Sequence, residues 1–110
     1  MQIVMMPEDA KQVIDYEITK NTISFNDDEL AINLQKRERD GDVHIDICSD
    51  RSGALVMGAA GSFKYVAQID IPAREYEDEE YEEDGETKVK KVPVPFSMDR
   101  CTLTLWEMEE

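Results

Sequence analysis

His44, Asp46 and Cys48 come closest, by type and spacing, to residues that could do chemistry in this chain of 110 residues. On a strand, alternation would put all three side chains on one face, successive members about 6.6 Å apart at roughly 3.3 Å rise per residue. An imidazole, a carboxylate and a thiol so arranged could hold a metal ion, or pair a thiol nucleophile with a base. Two observations weigh against this. The separation exceeds direct nucleophile–base hydrogen bonding, and the chain has no second histidine, which leaves Cys101 as the one other soft ligand. The plainer reading is the solvated outer face of a strand, with Cys48 pointing outward beside His44, because a site needs a third convergent group.

Three other groupings resolve the same way. Asp27-Asp28-Glu29 and Asp46 with Asp50 offer carboxylates for calcium, but they lack the ligand alternation and the glycine of an EF-hand loop, so turn chemistry explains them. Gly58-Ala59-Ala60-Gly61 lacks the Gly-Lys-Ser/Thr ending of a phosphate loop and reads as a flexible turn. No metal or cofactor is expected.

The remaining candidate is electrostatic. The net charge is −14, and it is concentrated. Residues 1–74 hold 13 acids and 8 bases, residues 75–87 hold nine acids and no base, and residues 88–110 hold four of each. Within the acidic stretch, Tyr76, Asp78, Glu79, Glu80, Tyr81, Glu82 and Glu83 form an aromatic-studded strip that could dock a basic protein partner. The alternative is a solvated surface that only keeps the protein soluble. Direct nucleic-acid binding is disfavoured, since no basic patch exceeds Lys88-Lys90-Lys91.

The elements that must position these groups are strands. Phe63-Lys64-Tyr65-Val66-Ala67-Gln68-Ile69-Asp70-Ile71 alternates with period two, and predicts a central strand burying Phe63, Tyr65, Ile69 and Ile71, with Val66 an apolar intruder on the other face. Alternation also marks Ile14 to Thr19, Ile23 to Phe25 and Leu30 to Gln35, and the short apolar run Gln2 to Met6 reads as a strand. Val43 to Cys48, Ala54 to Met57 and Cys101 to Trp106 complete the set. Pro7 to Lys11 suits one connecting turn. Leu30–Gln35 and Val43–Cys48, joined through Asp40-Gly41, predict a β-hairpin. Asp84-Gly85 predicts a second, in which Glu83 faces Glu86, Glu79 faces Lys90 and Asp78 faces Lys91. Its two tyrosines fall on opposite faces, so the 75–91 segment is expected to protrude as a charged hairpin or to be a flexible loop.

Eight to ten short strands in one domain spanning residues 1–110 predict an all-β, antiparallel sandwich or barrel carrying a protruding acidic hairpin. An immunoglobulin pattern does not fit, because Trp106 follows both cysteines. Two cysteines are too few for a disulfide scaffold, and neither a signal sequence nor a membrane span is visible, so a cytoplasmic protein with free thiols is expected.

The pieces Lys64 to Tyr76, Pro93-Val94-Pro95-Phe96 and Thr102-Leu103-Thr104-Leu105-Trp106 resemble an uncharacterised family of small acidic proteins from gut bacteria and their mobile elements. The resemblance carries no activity and implies a phage- or transposon-linked accessory role. The expected function is therefore non-enzymatic: an accessory protein that binds another protein through the acidic strip or an exposed sheet edge. The alternative is an acidic DNA mimic that occupies a nucleic-acid enzyme. Mimicry requires charge spread over a face, whereas nine of the fourteen net charges here sit in thirteen residues.

Overall fold

The alternating segments become ten strands: β1 (Gln2–Met6), β2 (Tyr16–Thr19), β3 (Thr22–Phe25), β4 (Leu30–Asn33), β5 (Val43–Ser49), β6 (Leu55–Met57), β7 (Lys64–Ile71), β8 (Tyr76–Glu83), β9 (Glu86–Pro93) and β10 (Thr102–Trp106). The structure, a computed structural model, describes residues 1–58 and 64–108. The fold is all-β. Its helical content among these residues is two single 3-10 turns, at Gln35–Arg37 and Met98–Arg100, and no helix there is long and apolar enough to cross a membrane.

The strands form three sheets, ordered β1-β10-β7-β5-β6, β2-β3-β4 and β8-β9. The first two face each other and share one core, to which the large sheet contributes Ile45, Ile47, Ala67, Ile69, Ile71, Leu103 and Leu105. The small sheet contributes Ile23, Phe25 and Ile32. This is an open two-layer arrangement, not a closed barrel. The large sheet is mixed, because β1 runs parallel to β10 while its other pairings are antiparallel. Parallel neighbours need a long crossover, and here it is nearly the whole chain.

Two expectations about the strands need correction. Leu30–Gln35 and Val43–Cys48 do not form a hairpin: β4 pairs with β3, and β5 pairs with β6 and β7. The 3-10 turn after Leu34 ends the first run, and the chain then crosses from one layer to the other. In β7, Ile69 and Ile71 are buried as expected, but Tyr65 is 46% exposed. The cause is a β-bulge. Ile47 stands opposite Ala67, but Cys48 stands opposite Tyr65, so Val66 is an extra residue on β7. An inserted residue reverses the alternation beyond it, so Val66 turns into the core and Tyr65 turns out towards Trp106, with ring centroids 6.1 Å apart. The intruding valine was the sign of the bulge. Phe63 lies outside the described residues.

The third correction concerns Cys48, which is fully buried instead of pointing outward. It lies off the shared core, between Val56 and Tyr65 on the two neighbouring strands. Cys101 is buried in the core, and burial pushes its thiol above its ordinary pKa, which depletes the reactive thiolate. Both cysteines are free. A thiol reagent applied to the folded protein should therefore react slowly at both sites, and rapidly at both after denaturation. One fast group in the native state would put Cys48 at the surface.

Candidate functional site

Two arrangements gather the chemically capable residues. The first crosses the outer face of the large sheet. His44 and Asp46 on β5 do share a face, as the alternation predicts, and they are directly linked, with His44 Nε2 at 2.8 Å from Asp46 Oδ1. β7 supplies the groups that sequence spacing could not reveal. His44 Nδ1 lies 2.5 Å from Asp70 Oδ1, Gln68 Nε2 donates to Asp46 Oδ1 at 3.0 Å, and Trp106 Nε1 on β10 donates to Gln68 Oε1 at 2.9 Å. The register places them there, since His44 is opposite Asp70, Asp46 opposite Gln68, and Gln68 opposite Thr104.

An imidazole with a carboxylate at each nitrogen donates from both only when doubly protonated. The pKa of His44 is accordingly raised, chiefly by the hydrogen bond to Asp70 and then by that to Asp46, against a smaller opposing effect of burial. Asp46 is held below its usual range, chiefly by the hydrogen bond from Gln68. A shallow hollow of about 250 Å³, lined in part by Asp42, His44, Asp70, Arg100 and Thr102, adjoins this cluster. The chemistry it offers is limited, because both ring nitrogens of His44 are already engaged by carboxylates. Cys48, the potential nucleophile, is buried and takes no part in the network. Asp50 is committed to its own turn, accepting from Ser52 N at 2.8 Å, Ser52 Oγ at 2.6 Å and Ala54 N at 3.1 Å. Among the described residues no group of three or more His, Cys, Asp or Glu side chains is placed to hold a metal ion.

The second arrangement is the β8-β9 ribbon. Asp84 (φ 51°) and Gly85 (φ 75°) make the turn with positive φ at both positions, the geometry that matches strand twist. The register has Glu83 opposite Glu86, Glu79 opposite Lys90 and Asp78 opposite Lys91, as the charge pattern predicted. The ribbon projects. The molecule measures 68 × 28 × 21 Å, and its radius of gyration is 18.2 Å, against about 13 Å for a compact chain of this length.

Each lysine of the ribbon is occupied within it. Lys91 pairs with Asp78, Lys88 Nζ lies 3.6 Å from Glu83, and Lys90 Nζ sits 5.5 Å from the centre of the Tyr81 ring. Glu80 and Glu82 face Val89 and Thr87 and have no cationic partner among the described residues. Of the predicted strip, Asp78, Glu79, Glu80, Glu82 and Glu83 are exposed on β8 and Tyr81 is half-buried. Tyr76 has a different task at the root, where its hydroxyl donates to Asp40 Oδ1 at 2.6 Å.

That root is an ionic knot which sequence patterning missed. Glu38 is the one buried charged residue among those described, 6% exposed. Its Oε1 is 3.2 Å from Arg74 Nε and its Oε2 3.5 Å from Arg100 Nη2. Arg100 Nη1 lies 3.3 Å from Glu75 Oε2, and Val94 N donates to Glu75 O at 2.8 Å. The signal available beforehand was an arginine just before β8 and another between β9 and β10.

No protein-family profile matches the chain, and no curated protein or solved structure shows significant similarity to it. Geometry and electrostatics alone therefore carry the functional reading.

His44 yields a prediction with a definite sign. Its folded pKa lies above the unfolded value of about 6.5, so its bonds stabilise the fold fully below that pH and are lost as pH rises through the folded pKa. With one histidine in the chain, a single imidazole resonance followed by NMR should titrate above 6.5. His44→Gln should remove that component of the pH dependence of stability. A midpoint at or below 6.5 would mean that the two carboxylate bonds do not form.

Proposed function

We propose that this protein is a non-enzymatic accessory protein that binds another protein, with the exposed acidic strand β8 as its contact surface and a basic surface on the partner. The observation that carries this reading is the contrast between the two ends of the ribbon. Its root is tied to the body through Glu38, Arg74, Arg100 and Asp40, while its length stands away from the body with Glu80 and Glu82 unpaired among the described residues. Because β8 pairs only with β9 among the described residues, its outer edge also leaves backbone groups free, and an edge strand can accept another chain through main-chain hydrogen bonds. Carboxylates beside that edge would select an arginine- or lysine-bearing partner and speed its encounter. Two free cysteines fit a reducing cytoplasm as its location. The DNA-mimic reading is weaker, since Lys88, Lys90 and Lys91 occupy part of the ribbon's acidic surface.

The ribbon has little apolar surface to bury, and Val89 is 58% exposed. Its ion pairs are exposed, and such pairs each contribute under about 1 kcal/mol. Replacing residues 77–90 with a Gly-Asn turn keeps Glu75 and Tyr76 at the root. That replacement should leave Tm within a few degrees, at a scaling of about 4–8 °C per kcal/mol. Capture of the partner from host extract should fall at least tenfold with the shortened chain, and should weaken with salt in the intact protein. Equal capture by both forms would move the contact off the ribbon.

A further inference from the structure

β1 is the outer strand of the large sheet, and its sequence, Gln2-Ile3-Val4-Met5-Met6, carries no charge. Ile3, Val4 and Met6 are 38–39% exposed. Soluble proteins usually guard such an edge with charge, proline or a bulge. β8 carries a row of acids and β2 carries Glu17, but β1 has no guard.

The parallel ladder determines which backbone groups of β1 are free. Gln2 N donates to Cys101 O at 3.0 Å, and Glu107 N donates to Met6 O at 2.9 Å. Alternate residues of a parallel strand bond the same neighbour, so Gln2, Val4 and Met6 face β10. The N–H and C=O of Ile3 and Met5 therefore point away from the sheet, and no described residue bonds them.

We propose that β1 pairs antiparallel with β1 of a second copy of this chain, across a two-fold axis at Val4, joining two five-stranded sheets into one. In that register Ile3 lies opposite Met5 of the second copy, and Met5 opposite its Ile3. Each of these pairs exchanges two N–H···O bonds, four in all, whereas within Gln2–Met6 a register centred on Ile3 or on Met5 makes two. The strand is thus self-complementary in its hydrogen bonding. Charge favours the same occupant: no side chain at the seam repels its own copy, and a charged foreign strand would find no counter-charge there. The contact is isologous and uses up both β1 edges, so it stops at a dimer. Val4 meets Val4 of the second copy on the outer face, beside Met6 and Trp106.

The salt dependence separates this contact from ribbon docking. Two copies each bearing −14 repel at long range, and salt screens that repulsion without touching an uncharged seam. Association should therefore tighten with salt, while ribbon docking weakens.

Sedimentation equilibrium of the full chain at about 0.05 M and 0.5 M sodium chloride tests the proposal. The weight-average mass should rise with concentration from 12.6 kDa towards twice that, more steeply at high salt. Val4→Lys and Val4→Glu each put like charges face to face at the axis and should weaken association roughly tenfold or more. An equimolar mixture of the two variants should restore the dimer, which a merely misfolded variant could not do. The ribbon-shortened chain should still dimerise. A monomer at every concentration and both salts would overturn the proposal, as would a dimer indifferent to the Val4 substitutions or a mixture of folded variants that stays monomeric.

Discussion

The contact on which the rest of the architecture depends is the carboxylate of Glu38 with Arg74 and Arg100. Three connections meet there: the crossover from the small sheet to the large one, the link from β7 into β8, and the return from β9 to β10. Arg74 also donates to the Glu38 carbonyl, and its backbone N–H donates to Arg39 O at 2.8 Å. Taking a carboxylate out of water is costly, and the attraction recovered from two arginines that are still a quarter to a third exposed is modest. The knot is therefore a poor source of net stability. Its effect is geometric, because it dictates the direction in which the ribbon leaves the body.

Stability resides elsewhere. Phe25, Ile23, Ile47, Ile69, Leu103 and Leu105 are fully buried between the two layers, and burial of such side chains is the dominant favourable contribution to folding. The densest run of acids lies on the ribbon and the uncharged edge is β1, so the regions suited to contact with other chains lie outside the core. A ribbon that contributes little to folding can be acidic along its length without a cost to the core. The outer sheet face carries the histidine network, whose protonation state follows from its two carboxylates.

Much of this was legible in the sequence, for identifiable reasons. The β8-β9 register could be read because Asp84-Gly85 dictates a two-residue turn and the charges on the two sides match only one pairing. β10 could be read because Cys101, Leu103 and Leu105 alternate without interruption, and all three are buried. The false β4–β5 hairpin had equally good alternation and a plausible turn. Alternation reports that a face is buried, however, not which strand lies beside it, and nothing local shows that a chain changes layers at Gln35. Tyr65 is displaced by one inserted residue, Val66, which has no marker except its own apolarity, whereas Cys48 keeps the face that alternation gives it and is buried there between Val56 and Tyr65. Apart from His44 with Asp46, the His44 network and the Glu38 knot join residues 22 to 62 positions apart, and such pairings become visible only when the strands are set side by side.

The central claim is that the ribbon is an ordered arm whose direction is set by the Glu38 knot, and backbone NMR relaxation addresses it most directly. Amides of residues 78–90 in the intact protein should show order parameters near about 0.85, the level of a rigid backbone, and should tumble with the body. In Glu38→Gln the same amides should lose order while those of β7 and β10 do not change. Order parameters below about 0.6 along the ribbon of the intact protein, or a ribbon equally ordered and equally oriented in Glu38→Gln, would contradict the account.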